Sequence, residues 1–278
     1  MRMLPRATGL VALLTLTLTG CAAPAPPTTG ADHAPATTPH VHAIVPAPDG
    51  EGFLLGTHEG IYTATAAGEI GARVGGDDFD AMGLTVLGGD LIASGHPGRN
   101  TPTELGDTNL GIIRSLDGGE TWDPVAFTGE KDFHALTAGP DNTLYGQDAS
   151  SNVLMFSTDA GVTWTPTGGE LLAFGLAVDA TDRVIAVTPD GPQVSTDRGA
   201  TFSPLPDAPR LVLITASPDH QRLIGVDNDE TIWTSTTGAD WQNIGTVHGP
   251  PQAITITDDG LVLIVDDSGL SLLPIPRP

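Results

Sequence analysis

An all-β fold, a β-propeller of six blades, is what the sequence predicts, and three observations carry the prediction. The eight-residue pattern Ser115-Leu116-Asp117-Gly118-Gly119-Glu120-Thr121-Trp122 returns as Ser157-Thr158-Asp159-Ala160-Gly161-Val162-Thr163-Trp164 and as Ser195-Thr196-Asp197-Arg198-Gly199-Ala200-Thr201-Phe202. A worn copy follows at Thr234-Ser235-Thr236-Thr237-Gly238-Ala239-Asp240-Trp241. The aromatic positions 122, 164, 202 and 241 lie 42, 38 and 39 residues apart, a fixed period of the size that marks stacked supersecondary units. Between the copies the chain reads as short strands separated by turn residues, so each unit is a blade.

The eight residues suit a hairpin turn. The Gly takes positive φ without steric cost, the Ser and Asp side chains can bond the turn's own backbone, and the aromatic opens the next strand as an apolar pin. Ser115, Asp117 and Trp122, Ser157, Asp159 and Trp164, and Ser195, Asp197 and Phe202 are therefore expected to be architectural. They resemble the Asp-box, or BNR, repeats of sialidases, sortilin-type propellers, xyloglucan-cleaving glycosidases and photosystem assembly propellers. That superfamily holds enzymes, receptors and scaffolds, so the resemblance implies a fold before it implies a function.

The amino terminus reads as a leader. Arg2 and Arg6 precede an apolar run, Leu10 to Leu18, which ends in Leu18-Thr19-Gly20-Cys21. The run is too short for the ~20 residues of a membrane span. The tetrapeptide resembles the lipobox of bacterial lipoproteins, which implies a signal peptide over 1–20, acylation of Cys21, and anchoring on the outer face of the cell membrane. Cys21 is the only cysteine, which excludes disulfides and thiolate metal sites and gives the thiol a purpose. Residues 21–39, rich in Pro, Ala and Thr, form a flexible linker, and 40–278 form the propeller.

The whole chain carries 34 acidic residues against 11 Lys and Arg, a formal charge of −23. Without Arg2 and Arg6 the count is 34 against 9, or −25. Such a surface excludes nucleic acid as a partner and concentrates cations.

Blade one spans His40 to about Gly75 and carries no repeat turn. Blade two, about Asp77 to Glu130, begins Phe79-Asp80-Ala81-Met82, and blade three begins Phe133-His134-Ala135-Leu136. This places His134 level with Asp80, and both level with His42 in Val41-His42-Ala43-Ile44. Blade four, about Leu171 to Asp207, has Phe174 at the equivalent place and reads as structural. Blade five runs from about Ala208 to Val247. Blade six lacks an evident fourth strand, and the segment before His42 is expected to supply it, closing the ring without an exposed edge. Blade two also contains a long loop, His96 to Gly111, holding Arg99, Glu104, Asp107 and Asn109. Loops of this length are frequently functional, and it is expected to fold over the channel mouth as a lid.

In a propeller the first strand of each blade lines the channel, and loops entering strand one share a face with loops leaving strand two. His40 and His42 thus fall on one side of an inner strand, His134 and Asp80 fall nearby, His58 and His96 close second strands, and Asp148, Asp227 and Asp266 end others. His42, His58, His96 and His134, with His40 and Asp80, form a candidate site for zinc, copper(II) or iron, since imidazole and carboxylate without thiolate suit those metals better than calcium. Asp227-Asn228-Asp229-Glu230 lacks the Gly and distal Glu of a calcium loop and reads as a turn.

Sialidase activity is not expected. The family's three-arginine clamp with its Arg-Ile-Pro motif has no counterpart, and the only tyrosines are Tyr62 and Tyr145. A glycosidase of another kind needs two carboxylates about 5 to 10 Å apart, for which Asp80 with Glu59 or Asp148 are the candidates. Exposed aromatics, the usual sugar platforms, are scarce, with Trp233 the one tryptophan outside the repeats. Residues 40–278 resemble bacterial lipoproteins with Asp-box propellers that carry a glycosyl-hydrolase-type label, in which a His-x-His opening and a Thr-His-x-Gly segment recur. The resulting expectation is a lipid-anchored binding or scaffold propeller with an unidentified protein or glycan ligand. The alternative is a non-sialidase glycoside hydrolase.

Overall fold

The computed structural model describes residues 39–275. The expected signal segment, Cys21 and all of the linker but Pro39 lie outside these residues, as do the last three positions. The described chain is a six-bladed β-propeller whose one helical element is a short 3-10 turn at Thr103–Leu105. Five blades are four-stranded antiparallel sheets in sequence order, and blade six has three strands, Pro251–Ile256, Leu261–Asp266 and Gly269–Pro274. The inner strands are Val41–Pro46, Asp80–Leu87, Phe133–Ala138, Gly175–Val178, Leu211–Ala216 and Pro251–Ile256. Each packs on the next, and the sixth packs on the first. The segment expected to complete blade six falls almost wholly outside the described residues. At its described end, the Gln252 side-chain oxygen of blade six accepts the Val41 N–H of blade one at 2.9 Å. No helix among the described residues is long and apolar enough to cross a membrane.

Second strands such as Phe53–Thr57, Leu144–Asp148 and Leu223–Asp227 are buried along their whole length, because each blade is covered on both faces by its neighbours. That is why they read as continuous rather than alternating apolar runs. The core accordingly divides into six clusters, one at each blade-to-blade interface. Val45, Leu54 and Ile61 of blade one meet Phe79, Leu84 and Trp122 of blade two, and Tyr62 and Leu55 of blade one meet Leu263 and Val265 of blade six.

The repeated turns bond as their residues suggest. Ser157 Oγ donates to Asp159 (2.8 Å) and accepts the Gly161 N–H (3.0 Å), while Asp159 accepts the backbone and hydroxyl of Thr163 at 2.8 and 2.6 Å. Ser115 with Asp117 and Ser195 with Asp197 repeat the set. The indoles of Trp122 and Trp164 donate to the carbonyls of Gly119 and Gly161. These hydroxyls hold Asp159 and Asp197 at about 2, far below the ordinary carboxyl value. Two successive residues of each turn have positive φ: Gly118 and Gly119, Ala160 and Gly161, Arg198 and Gly199.

The worn copy differs from its sequence alignment by one residue. Ser235, not Thr234, pairs with Leu223 as Ser157 pairs with Leu144, and Thr237 stands in the Asp place. The turn is one residue shorter, yet Trp241 still donates to Gly238.

Candidate metal centre

The channel side chains of the His-bearing face are set by a bulge that recurs in the inner strands. Val41 pairs with Thr57 and Ala43 with Gly56, Ala81 with Gly95 and Gly83 with Ser94, Phe133 with Asp148 and Ala135 with Gln147. The skipped residues, His42, Met82 and His134, are therefore equivalent, and all three line a channel cavity of about 130 Å³. This corrects the alignment of Asp80 with His42 and His134. Asp80 is equivalent instead to His40 and Asp132, two residues earlier. Two residues is the period of side-chain alternation, so the slip leaves Asp80 on the same side and still at the mouth. Blade four offers Leu172 and Phe174 at the corresponding places, and Phe174, expected to be structural, is 58% exposed. Blade four thus offers no metal ligand at these two places.

The six expected ligands separate into two groups. In the first, His42 Nε2 faces His58 Nδ1 at 3.2 Å, Asp80 Oδ1 lies 3.3 Å from His42 Nε2, and Asp80 Oδ2 lies 3.0 Å from His58 Nδ1. His40 lies against both rings, its centroid 4.8 Å from that of His42 and 5.3 Å from that of His58. Donor atoms bound to one metal at about 2.1 Å stand about 3.0–3.5 Å apart at octahedral or tetrahedral angles, so these separations fit a common ion. Burial pushes the Asp80 carboxyl up, but the His42 and His58 rings beside it outweigh that and keep it below its usual range; Asp80 Oδ1 is buried without a hydrogen-bond partner. His40 is exposed, and its partial desolvation together with the neighbouring His42 and His58 lowers its pKa, which favours the neutral imidazole that ligation requires.

The second group is built on Asp132, a residue the sequence reading missed. Its Oδ2 lies 2.5 Å from His134 Nε2 and 3.1 Å from His96 Nε2, and its Oδ1 is buried with no hydrogen-bond partner. The signal was present in Asp132-Phe133-His134, which repeats the spacing of His40-Val41-His42. The Asp132 hydrogen bond raises the pKa of His134 against the opposing effect of burial.

The His96–Gly111 loop reaches this face, but it packs down on blade two rather than standing over the mouth as a lid. Leu105 and Leu110 are fully buried in the interface of blades one and two, and Asn100 is tied to Asp78 by two hydrogen bonds. Its contribution to the site is Asn109, whose Oδ1 lies 3.1 Å from His96 Nδ1.

The other candidates lie outside both groups. Asp148 accepts Lys131 Nζ and Ser150 Oγ, both at 3.0 Å; burial pushes its carboxyl up, and these bonds outweigh that and hold it low. Asp227 and Asp266 cap their own turns. Trp233 donates to Asp227 at 2.7 Å and packs at the interface of blades four and five. Glu59 is exposed beside the Thr57 turn. At the opposite mouth, the hairpins joining first to second strands surround a larger cavity of about 910 Å³.

Neither a family model nor a curated protein matches the sequence. Solved structures do. A gluconolactonase from Xanthomonas campestris superposes with a TM-score of 0.60 at 14% identity, over 81% of this chain and 82% of that one. Virginiamycin B lyase from Staphylococcus aureus gives 0.53 at 16%, over 88% and 87%. The GH74 enzyme of Niastella koreensis gives 0.57 at 16%, over 82% of this chain and 41% of the longer enzyme. The likeness is one of fold. Propellers of this shape include a lactonase, a lyase and a glycoside hydrolase, so the site has to speak for itself.

Proposed function

We propose that the chain is a lipid-anchored, extracytoplasmic propeller that binds a divalent transition metal at one channel mouth through His42, His58 and Asp80, with His40 as a further ligand. The observation that carries this reading is the convergence of His42 Nε2, His58 Nδ1 and the Asp80 carboxylate at 3.0–3.3 Å. Among the described residues the ion-pair partners of Asp80 are His42 and His58, with no lysine or arginine. Two neutral imidazoles and a carboxylate form a donor set suited to zinc, copper(II) or iron(II). The metal would present open coordination positions to solvent at the mouth, where a ligand oxygen or nitrogen could bind. The acidic surface would raise the local cation concentration.

The carboxylate-pair hydrolase reading draws less support. A general acid requires a raised pKa, and both Asp80 and Asp148 are held low.

Elemental analysis of protein purified without a histidine tag tests the metal reading. Bound metal that falls on His42→Ala and on His58→Ala supports it, and parent protein without metal at these residues overturns it. The anchor is tested separately with Cys21→Ser, which is expected to move the chain from the membrane fraction to the soluble fraction. Retention of the variant on the membrane would refute lipidation there.

A further inference from the structure

We infer that the same face carries a second, separate divalent-metal site, formed by His96, Asp132 and His134. The inference goes beyond the single site proposed above and uses none of its donor atoms.

It rests first on the tautomer of His96. Its Nδ1 has only oxygen acceptors within reach, Asn109 Oδ1 at 3.1 Å and the Thr108 carbonyl at 3.4 Å. The Asn109 amide is itself oriented, because its Nδ2 donates to the Glu130 carbonyl at 3.2 Å; turning the amide over would set oxygen against oxygen. Nδ1 therefore carries the proton, and the lone pair of neutral His96 sits on Nε2, 3.1 Å from Asp132 Oδ2. A lone pair facing a carboxylate oxygen is repulsive unless a cation lies between them. Only a second proton or a metal ion can fill that role. Donation of the remote ring N–H to an oxygen is also the arrangement that orients metal-binding histidines.

The second observation is the state of Asp132. It is 6% exposed, and its Oδ1 is buried without a partner, a costly arrangement for a carboxylate unless a positive charge accompanies it. Lys131, its chain neighbour, is engaged by Asp148, so the groups facing Asp132 are the His134 and His96 rings, both on Oδ2, and Oδ1 is left for an ion bound among them. The donor atoms of His96, Asp132 and His134 all lie within 4.8 Å of one another. An ion entering among them displaces the protons of the histidine–carboxylate contacts, and the 2.5 Å His134–Asp132 separation opens to the ~3 Å of two ligands on one metal. The class of ion is again a borderline divalent cation, for which two imidazoles and one carboxylate are a sufficient protein set with coordination positions left open.

The supports come from different elements than those of the first site. His96 ends the second strand of blade two, while Asp132 and His134 open blade three. The junction is fixed by the 2.8 Å hydrogen bond from the Phe133 N–H to Ser94 Oγ.

The test is a titration of the full, untagged, chelator-treated chain with Zn²⁺, repeated with Co²⁺, whose visible spectrum reports nitrogen–oxygen coordination. Two equivalents are expected in the parent and one in Asp132→Asn. One is also expected in His96→Gln, which guards against a folding defect of the first variant. Asn109→Ala is expected to weaken one equivalent by about 10- to 100-fold and leave the other unchanged. A parent that takes one equivalent, lost in His58→Ala and kept in Asp132→Asn, overturns the second site and leaves the first. One equivalent lost in Asp132→Asn and kept in His58→Ala supports the second site and overturns the first. Two equivalents that survive Asp132→Asn and His96→Gln overturn the inference.

Discussion

Replacing Ser157 by Ala should destabilise the propeller measurably, although the residue is small and remote from the channel. The residue is 1% exposed; its hydroxyl donates to Asp159 at 2.8 Å and accepts the Gly161 N–H at 3.0 Å. Without it the Asp159 carboxylate regains water, because it lies at the surface, but the Gly161 amide is enclosed under the turn and is left unsatisfied. A buried N–H without a partner costs about 1–3 kcal/mol. For a domain of this size each kcal/mol lowers Tm by about 2–4 °C, so a loss near 2 kcal/mol predicts a fall of about 4–8 °C. The shortened turn of blade five provides an internal control. Ser235 occupies the same register, but its hydroxyl accepts only the Thr237 N–H, at 3.2 Å, beside exposed residues that water can reach. Ser235→Ala should cost less than about 1 kcal/mol. Thermal unfolding followed by tryptophan fluorescence compares the two. Equal shifts, or an unchanged Tm for Ser157→Ala, would refute the view that the Ser–Asp–Gly bonds hold the turn.

Acid should act on the same turns. The carboxyls of Asp159 and Asp197 sit at about 2 in the folded chain because the Thr163 and Thr201 hydroxyls bond them first and most strongly, against ~3.9 unfolded. A depressed folded value gives stability that is present above the unfolded value and lost as pH falls from ~4 towards ~2. An Asp159→Asn, Asp197→Asn double variant should show a smaller loss of Tm over that window than the parent; an equal loss would contradict this. Gly95→Ala should both lower Tm and abolish metal binding, because a Cβ there would stand 1.8 Å from the Asp80 carbonyl at a φ of +149°; an unchanged Tm would contradict the geometry. A fluorogenic sialoside should remain uncleaved, since the chain has no counterpart to an arginine clamp and tyrosine nucleophile. Turnover that disappears in Asp80→Ala would refute that expectation.

The fold was legible because it is periodic. Four aromatic positions at nearly constant spacing implied blades of about forty residues, and the residues of the repeated turn announced their own hydrogen bonds. The worn copy was misplaced by one residue because the shortening falls between Thr237 and Gly238, where only the strand register reveals it. The site was legible in outline, since period-two alternation put His40, His42, His58, His96, His134 and Asp80 on one face. Its internal grouping was not. The bulge at each channel entry decides which residue faces its neighbour across blades, and the shared Phe-x-Ala of blades two and three suggested an alignment two residues out. That slip hid Asp132, whose equivalence to Asp80 and His40 appears only once Gly83, Ala43 and Ala135 are seen to share a register. The role of Asn109 depended on the path of a sixteen-residue loop (96–111), which nothing periodic constrains.

The central claim is that this channel mouth holds a metal, and anomalous diffraction from crystals of metal-loaded protein tests it most directly. Data collected on either side of the metal's absorption edge should show a peak about 2.1 Å from His42 Nε2, from His58 Nδ1 and from an Asp80 oxygen. A map with no anomalous peak among these three side chains, in protein shown by elemental analysis to contain metal, would contradict the account.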